Sequence, residues 1–171
     1  MKAEDEIPPI VVDPAAPAVQ IASRLLSELC AHALEAQPEE CCGLLTGNGE
    51  QRFTRVHRCQ NVMTALHREN PAQFPRDGRQ AYYMNEADYL RTQQEAEAAG
   101  QGVTAVYHSH VGAGLHFSSM DQLYARQALF PFPEAAQIVL SVWDRVVEAG
   151  VFEPTAEGRG FRGRPLEVVE A

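Results

Sequence analysis

Basic residues are scarce in this chain of 171 residues. Asp and Glu number 23 against 14 Lys and Arg, a formal net charge of −9. Nucleic-acid binding draws on clustered Lys and Arg to neutralise phosphates, so no nucleic-acid partner is expected. Long apolar runs are missing too. None approaches the roughly 20 residues of a spanning helix, and the opening MKAEDEIPPIVV lacks the apolar stretch of a signal peptide. The expectation is a cytoplasmic protein with no membrane association. Cysteine is sparse: Cys30, Cys41, Cys42 and Cys59 form no C-x-x-C pair, which excludes a zinc ribbon or a thioredoxin-type redox site. Cys41 and Cys42 sit in an apolar run and read as buried thiols. A nucleophilic cysteine served by a distant histidine is the sharper alternative. No internal repeat is visible.

What remains suits one soluble domain, because the length leaves little room for a second and is ample for a core. Residues 1–18, rich in proline and acid, read as an extended arm with a short strand at Ile10–Val12. Ile21, Leu25, Leu26, Leu29, Ala33 and Leu34 recur at steps of three and four, the mark of an amphipathic helix that Pro38 closes. Cys41–Gly47 reads as a strand, Asn48-Gly49 as a tight turn, and residues 51–60 as the returning strand. Residues 61–80 carry prolines and mixed polarity, so a long irregular connection is expected, with a brief strand at Tyr82–Met84. Asn85 caps a helix from Glu86 to about Ala99, with Gly100 past its end. Val103–His110 is a buried strand, Ser118–Asp121 opens a helix that Pro131 and Pro133 break, and Gln137–Trp143 is another buried strand. Residues 144–171 read as edge strands and then a tail. The boundaries expected are an arm at 1–18, a domain at 19–155 and a tail at 156–171. The mixed order of helices and strands predicts an α/β fold, a sheet flanked by helices.

The chemistry gathers around His108-Ser109-His110. On a strand, residues two apart project from one face, so both imidazoles can grip one cation. Neutral imidazole nitrogen is a preferred zinc ligand. Asp121 follows eleven residues later, past a glycine-bearing loop and in the first turn of a helix. Two histidines and one aspartate would leave a fourth position for water, the open arrangement of catalytic zinc. Asp121 also fits a plain helix-dipole carboxylate. A zinc-activated water needs a proton acceptor, and either Glu39 or Glu40, just before the apolar strand, could serve.

Glu40-Cys41-Cys42-Gly43, followed by His108-Ser109-His110, seven residues, Ser118, two residues and Asp121, resembles the JAMM (MPN+) metalloprotease signature, E-x-x-G with H-x-H-x7-S-x2-D. Every defining position matches, and the likeness spans roughly residues 18–145, including the helix before Glu40, Tyr107 and QIVLSVW. The resemblance implies a cytidine-deaminase-like (MPN/JAMM) mixed sheet flanked by helices. It implies one Zn2+ per chain on His108, His110 and Asp121, with Glu40 rather than Glu39 as acid/base. It gives Ser118 a part in stabilising the oxyanion, a job beside which the plain N-cap reading stands, and Ser119 could fill the cap instead. It also implies a zinc metallopeptidase cleaving the peptide or isopeptide bond after the C-terminal Gly-Gly of a ubiquitin-like protein. In the short bacterial type resembled here, that partner is often a sulfur-carrier protein. A deconjugase of ubiquitin-like modifiers and a metal-free MPN scaffold are the alternatives. Family members usually carry proline where this chain has Val111 and Phe117. Leu115 and Phe117 are therefore expected in a substrate wall, and His116 reads as a loop histidine, with a spare ligand or tail contact as alternatives. His32, His57 and His67 read as ordinary.

Overall fold

The apolar runs and the alternating segments become seven strands of one mixed sheet. The computed structural model describes residues 7–156 and 160–170. In chain order the elements are β1 (Ile10–Val11), β2 (Val19–Ala22), α1 (Ser23–Ala36), β3 (Cys42–Gly47), β4 (Arg55–Cys59), α2 (Met63–Glu69), α3 (Glu86–Ala98), β5 (Gly102–Val111), β6 (His116–Phe117), α4 (Ser119–Ala125), β7 (Ala136–Trp143), β8 (Val146–Pro154) and β9 (Phe161–Val169). The large sheet runs β2-β9-β8-β7-β5-β3-β4, and β1 pairs with β6 in a separate ribbon. β5 lies parallel to β7 and antiparallel to β3. Strands β3 and β7 are almost wholly buried, and β5 is buried from Ala105 to His110, which explains why they read as apolar runs.

Helix α1 lays Leu25, Leu29 and Ala33 on the sheet, one residue per turn of a single stripe. They join Tyr107, Ile138, Leu140 and Val151 in the main core. A second cluster around Leu44, Val106 and Tyr82 fills the opposite face. Helix α3 is capped by Asn85, whose side chain accepts the Asp88 amide N–H, and it stops before Gly100, which sits at φ 70°. The Asn48 side chain accepts the amide N–H groups of Glu50 and Gln51 and turns the chain after β3.

Several expectations need correction. Ile21 opens no helix: it lies in β2, parallel to β9, and the helical stripe starts at Ser23. The connection at 61–80 contains α2, because Asn61 ties down the start of that turn by accepting the Met63 amide N–H. The strand expected at Tyr82–Met84 is a single bridge between Asn61 and Met84. Helix α4 ends at Ala125, short of the prolines. Strand β8 is internal, and residues expected as a tail form β9 between β8 and β2. The arm contributes β1, with Val12 bridging Gly163; its residues 1–6 lie outside the described part. Among the described residues, no helix is long and apolar enough to cross a membrane.

Candidate metal centre

The register between β3 and β5 builds the site. Cys42 stands opposite His108 and Gly43 opposite Tyr107. Continuing that register two residues beyond the strand end brings Glu40 opposite His110, on the same face. Gly43 has to be glycine for this pairing, since a Cβ there would overlap the Tyr107 ring and the His57 carbonyl. Tyr107 is buried and its hydroxyl lies 2.7 Å from His32 Nδ1, tying α1 to the sheet beneath the site. Burial pushes the His32 imidazole down to about 4, so it is a neutral structural partner.

The polar groups converge at the C-terminal end of β5. His108 Nε2 lies 3.2 Å from His110 Nε2 and 3.2 Å from Asp121 Oδ2, and His110 Nε2 lies 3.1 Å from the same oxygen. Donors bound 2.0–2.1 Å from a tetrahedral zinc ion lie about 3.3 Å apart. The trio therefore has the spacing of three corners of such a site. In the neutral His110 ring, Nδ1 donates to the Gly114 carbonyl at 3.3 Å, which leaves the Nε2 lone pair facing the other ligands. The His108 ring is held by stacking on Tyr82, centroids 4.6 Å apart, and its buried Nδ1 has no hydrogen-bond partner among the described residues. Two imidazole nitrogens aimed at each other need a proton or a cation between them. A divalent first-row ion fits this donor set of two imidazoles and one carboxylate.

Electrostatics agree with the geometry. Burial by itself would raise the Asp121 carboxyl, yet the two imidazoles bonded to it hold it well below the usual carboxylate range. Burial is the largest influence on His110 and lowers it, but the bond and charge of Asp121, the Glu40 charge and the Gly114 carbonyl together outweigh that cost and raise it. Asp121 also completes a capping box: Ser118 Oγ accepts the Asp121 amide N–H, and Asp121 Oδ2 accepts the Ser118 amide N–H, each at 3.0 Å. Ser118, not Ser119, is thus the N-cap of α4. Because its oxygen is the acceptor in that bond, its own O–H remains a donor beside the ligands.

Glu40 lines the cavity of about 220 Å³ shared by His110, Asp121, Ser118 and His116. It is buried, and desolvation pushes its carboxyl up to about 8, with His110 and Arg76 pulling against that rise and Asp121 adding to it. Glu39 turns elsewhere and accepts the Thr64 hydroxyl at 2.7 Å, on the side of α2. The cysteines carry no such chemistry. Burial pushes the Cys41 thiol to about 12 and Cys42 well above its ordinary value, the reverse of an activated nucleophile. Phe117, expected in a substrate wall, is instead in the core against Phe152 and Phe161, with Leu115 packed on the same cluster. His57 and His67 bond to Thr46 and to the Phe74 carbonyl, away from the metal site.

Four supporting residues escaped the sequence reading. Ser109 faces away from the ligands; its Oγ accepts the Cys41 amide N–H at 2.8 Å and its amide N–H donates to the Cys41 carbonyl, fixing the backbone next to Glu40. Period two alone could have marked it as the residue facing away from both ligands. Asn61 donates to the Glu40 carbonyl at 3.0 Å, and the Glu40 amide N–H donates to the Gly78 carbonyl at 2.7 Å. Tyr82 and Arg76 complete the surroundings. Asn61, Arg76 and Tyr82 come from the stretch around 61–82, whose local pattern carries no sign of the site.

An α/β domain with a two-histidine, one-aspartate centre at the end of a buried strand defines the class. Residues 22–152 match the family model described as prokaryotic homologs of the JAB domain, and the chain belongs to that family. Among solved structures it is similar to protein DSY2949 from Desulfitobacterium hafniense, known from a solution structure, with a TM-score of 0.64 at 21% identity over 89% of this chain and 93% of that one. It is also similar to AF2198, a JAB1/MPN domain protein from Archaeoglobus fulgidus seen in a crystal structure, with a TM-score of 0.50 at 16% identity over 90% of this chain and 100% of that one. At these identities the likeness concerns the fold, which is the mixed sheet flanked by helices of JAB/MPN domains. No curated protein matches the chain.

Proposed function

We propose that this protein is a zinc metallopeptidase that hydrolyses the peptide or isopeptide bond after the C-terminal Gly-Gly of a ubiquitin-like protein, a sulfur carrier being the favoured substrate. The observation that carries this reading is the convergence of Glu40, Ser118, His110 and Asp121 at one cavity, with the buried His108 completing the cluster of three donors behind it. His108, His110 and Asp121 would hold one Zn2+ per chain. When bound, that ion supplies Lewis acidity and lowers the pKa of water to near neutrality.

The chain's own residues do the rest. Glu40 takes a proton from the attacking water and delivers it to the leaving nitrogen, a task suited to a carboxyl whose affinity for protons burial has raised. Its backbone is clamped by Asn61 and Gly78, so the carboxyl stays on the ligand side. Ser118 directs its hydroxyl at the oxygen on which charge develops. A scaffold function is disfavoured by the full set of ligands and the buried acid beside them. The test is incubation of zinc-loaded protein with ubiquitin-like carriers ending in Gly-Gly-X, read by intact mass. Cleavage after Gly-Gly is expected, abolished by Glu40→Gln and little changed by Glu39→Gln. A zinc-free protein unable to take up the metal, or inactivation by the Glu39 change alone, would sink the reading.

A further inference from the structure

A second cavity, of about 300 Å³, opens beside the metal centre and shares Asp121, Met120 and Arg76 with the first. Its walls are apolar and aromatic: Met63, Phe74, Tyr83, Leu123 and Tyr124 face it. Tyr82, which stacks on the ligand His108, belongs to the same wall. The Tyr83 and Tyr124 rings pack edge to face, as do Tyr82 and Tyr124, so the wall is preformed. The proposed reaction gives this space no role on the acyl side next to the scissile bond, since glycine has no side chain to place there. Arg76 and Arg79 both border the metal cavity, and Arg76, whose Nη1 lies 3.3 Å from Met120 Sδ, stands between the two cavities. A large apolar pocket joined to a rim of two guanidinium groups suits a residue with an apolar side chain and a free carboxylate.

We infer that the second cavity binds the side chain of the substrate's own C-terminal residue, a large apolar one, whose α-carboxylate faces Arg76 and Arg79. This rests on the Gly-Gly peptidase reading and sharpens it: the protein trims a C-terminal residue from its carrier. In that hydrolysis the bond between the glycine carbonyl carbon and the leaving residue's nitrogen breaks. Water supplies the oxygen that completes the new glycine carboxylate and the proton that the amine takes up, and the product is one free amino acid. An isopeptide linked to a lysine side chain would bring neither the carboxylate nor the compact apolar group.

The experiment uses the zinc-loaded full chain and carrier-derived peptides ending in Gly-Gly-X, with X as Ala, Leu or Phe, each as free acid and as amide. Leu or Phe should exceed Ala in kcat/KM by about tenfold or more. Amidation should lower kcat/KM about tenfold, and Arg79→Gln should erase that difference. Leu123→Trp, which fills the pocket, should turn the preference toward Ala. A second readout avoids turnover: calorimetric binding of the uncleaved peptides to Glu40→Gln should show the same order of affinity. Cleavage indifferent to X and to amidation would overturn the inference while leaving the Gly-Gly peptidase reading intact. Cleavage of only a Gly-Gly-lysine isopeptide would overturn it in favour of a deconjugase. Zinc-loaded protein that cleaves none of these, and binds none, would remove the underlying reading as well.

Discussion

Replacing Glu40 by glutamine should make the metal-free protein more stable while removing its activity. The buried carboxyl is pushed from an ordinary 4.5 up to about 8, chiefly by desolvation. The unfolded chain therefore releases this proton at lower pH than the folded one. Stability that the folded state has below the ordinary carboxylate value drains away as pH rises, and it levels off above the folded value. Each pH unit in that window costs about 1.4 kcal/mol. At pH 7 the loss amounts to about 3 kcal/mol, and glutamine, of the same shape and without a proton to lose, avoids it. The neighbouring His110 and Asp121 titrate in both proteins, so the comparison isolates residue 40. The assay is urea unfolding after chelator treatment, at pH 4.5 and pH 7, with the slope m checked for constancy. The two proteins should nearly coincide at the lower pH and separate at the higher. Restoring zinc should narrow the gap, since a nearby cation favours the carboxylate. A gap independent of pH, or a glutamine protein less stable at pH 7, would refute the reasoning.

Three further outcomes follow from the same geometry. Asp121→Asn removes a ligand and the charge that raises His110, so zinc content by elemental analysis should fall well below one per chain, with cleavage lost in step. Gly43→Ala forces a methyl group into the Tyr107 ring and the His57 carbonyl, and thermal unfolding should show a loss of about 1–3 kcal/mol. Ser118→Ala removes the N-cap acceptor and the hydroxyl beside the ligands. Stability should drop by about 1 kcal/mol, and kcat by about 10²–10³-fold; a loss of stability with kcat unchanged would leave Ser118 as a cap only.

The parts of this molecule that show in the sequence are those governed by local periodicity. Period two placed His108 and His110 on one face of a strand, and the structure brings both nitrogens to Asp121. The helical stripe Leu25, Leu29, Ala33 and the Asn85 cap were visible for the same reason, since each depends on neighbours within a few residues. What escaped depends on partners far along the chain. Residues 161–169 carry mixed polarity and read as a tail, but pairing with β8 and β2 makes them an internal strand. Phe117 sits in a loop-like stretch and reads as part of a substrate wall, whereas Phe152 and Phe161 bury it.

By itself, then, the sequence determined the identity and spacing of the candidate ligands His108, His110 and Asp121 and the apolar strands on either side of the site, whereas the close approach of β3 to β5 at Gly43 shows only in the folded chain. The motif resemblance points to Glu40 over Glu39, but only tertiary structure shows what physically sets the two apart. Glu39 and Glu40 are chemically identical neighbours, and nothing local orients them. Gly78, Asn61 and Thr64, from a segment with no readable pattern, hold one carboxyl toward Asp121 and draw the other toward α2. The apolar cavity has the same origin, because its walls come from three separate stretches of chain whose meeting no local rule encodes.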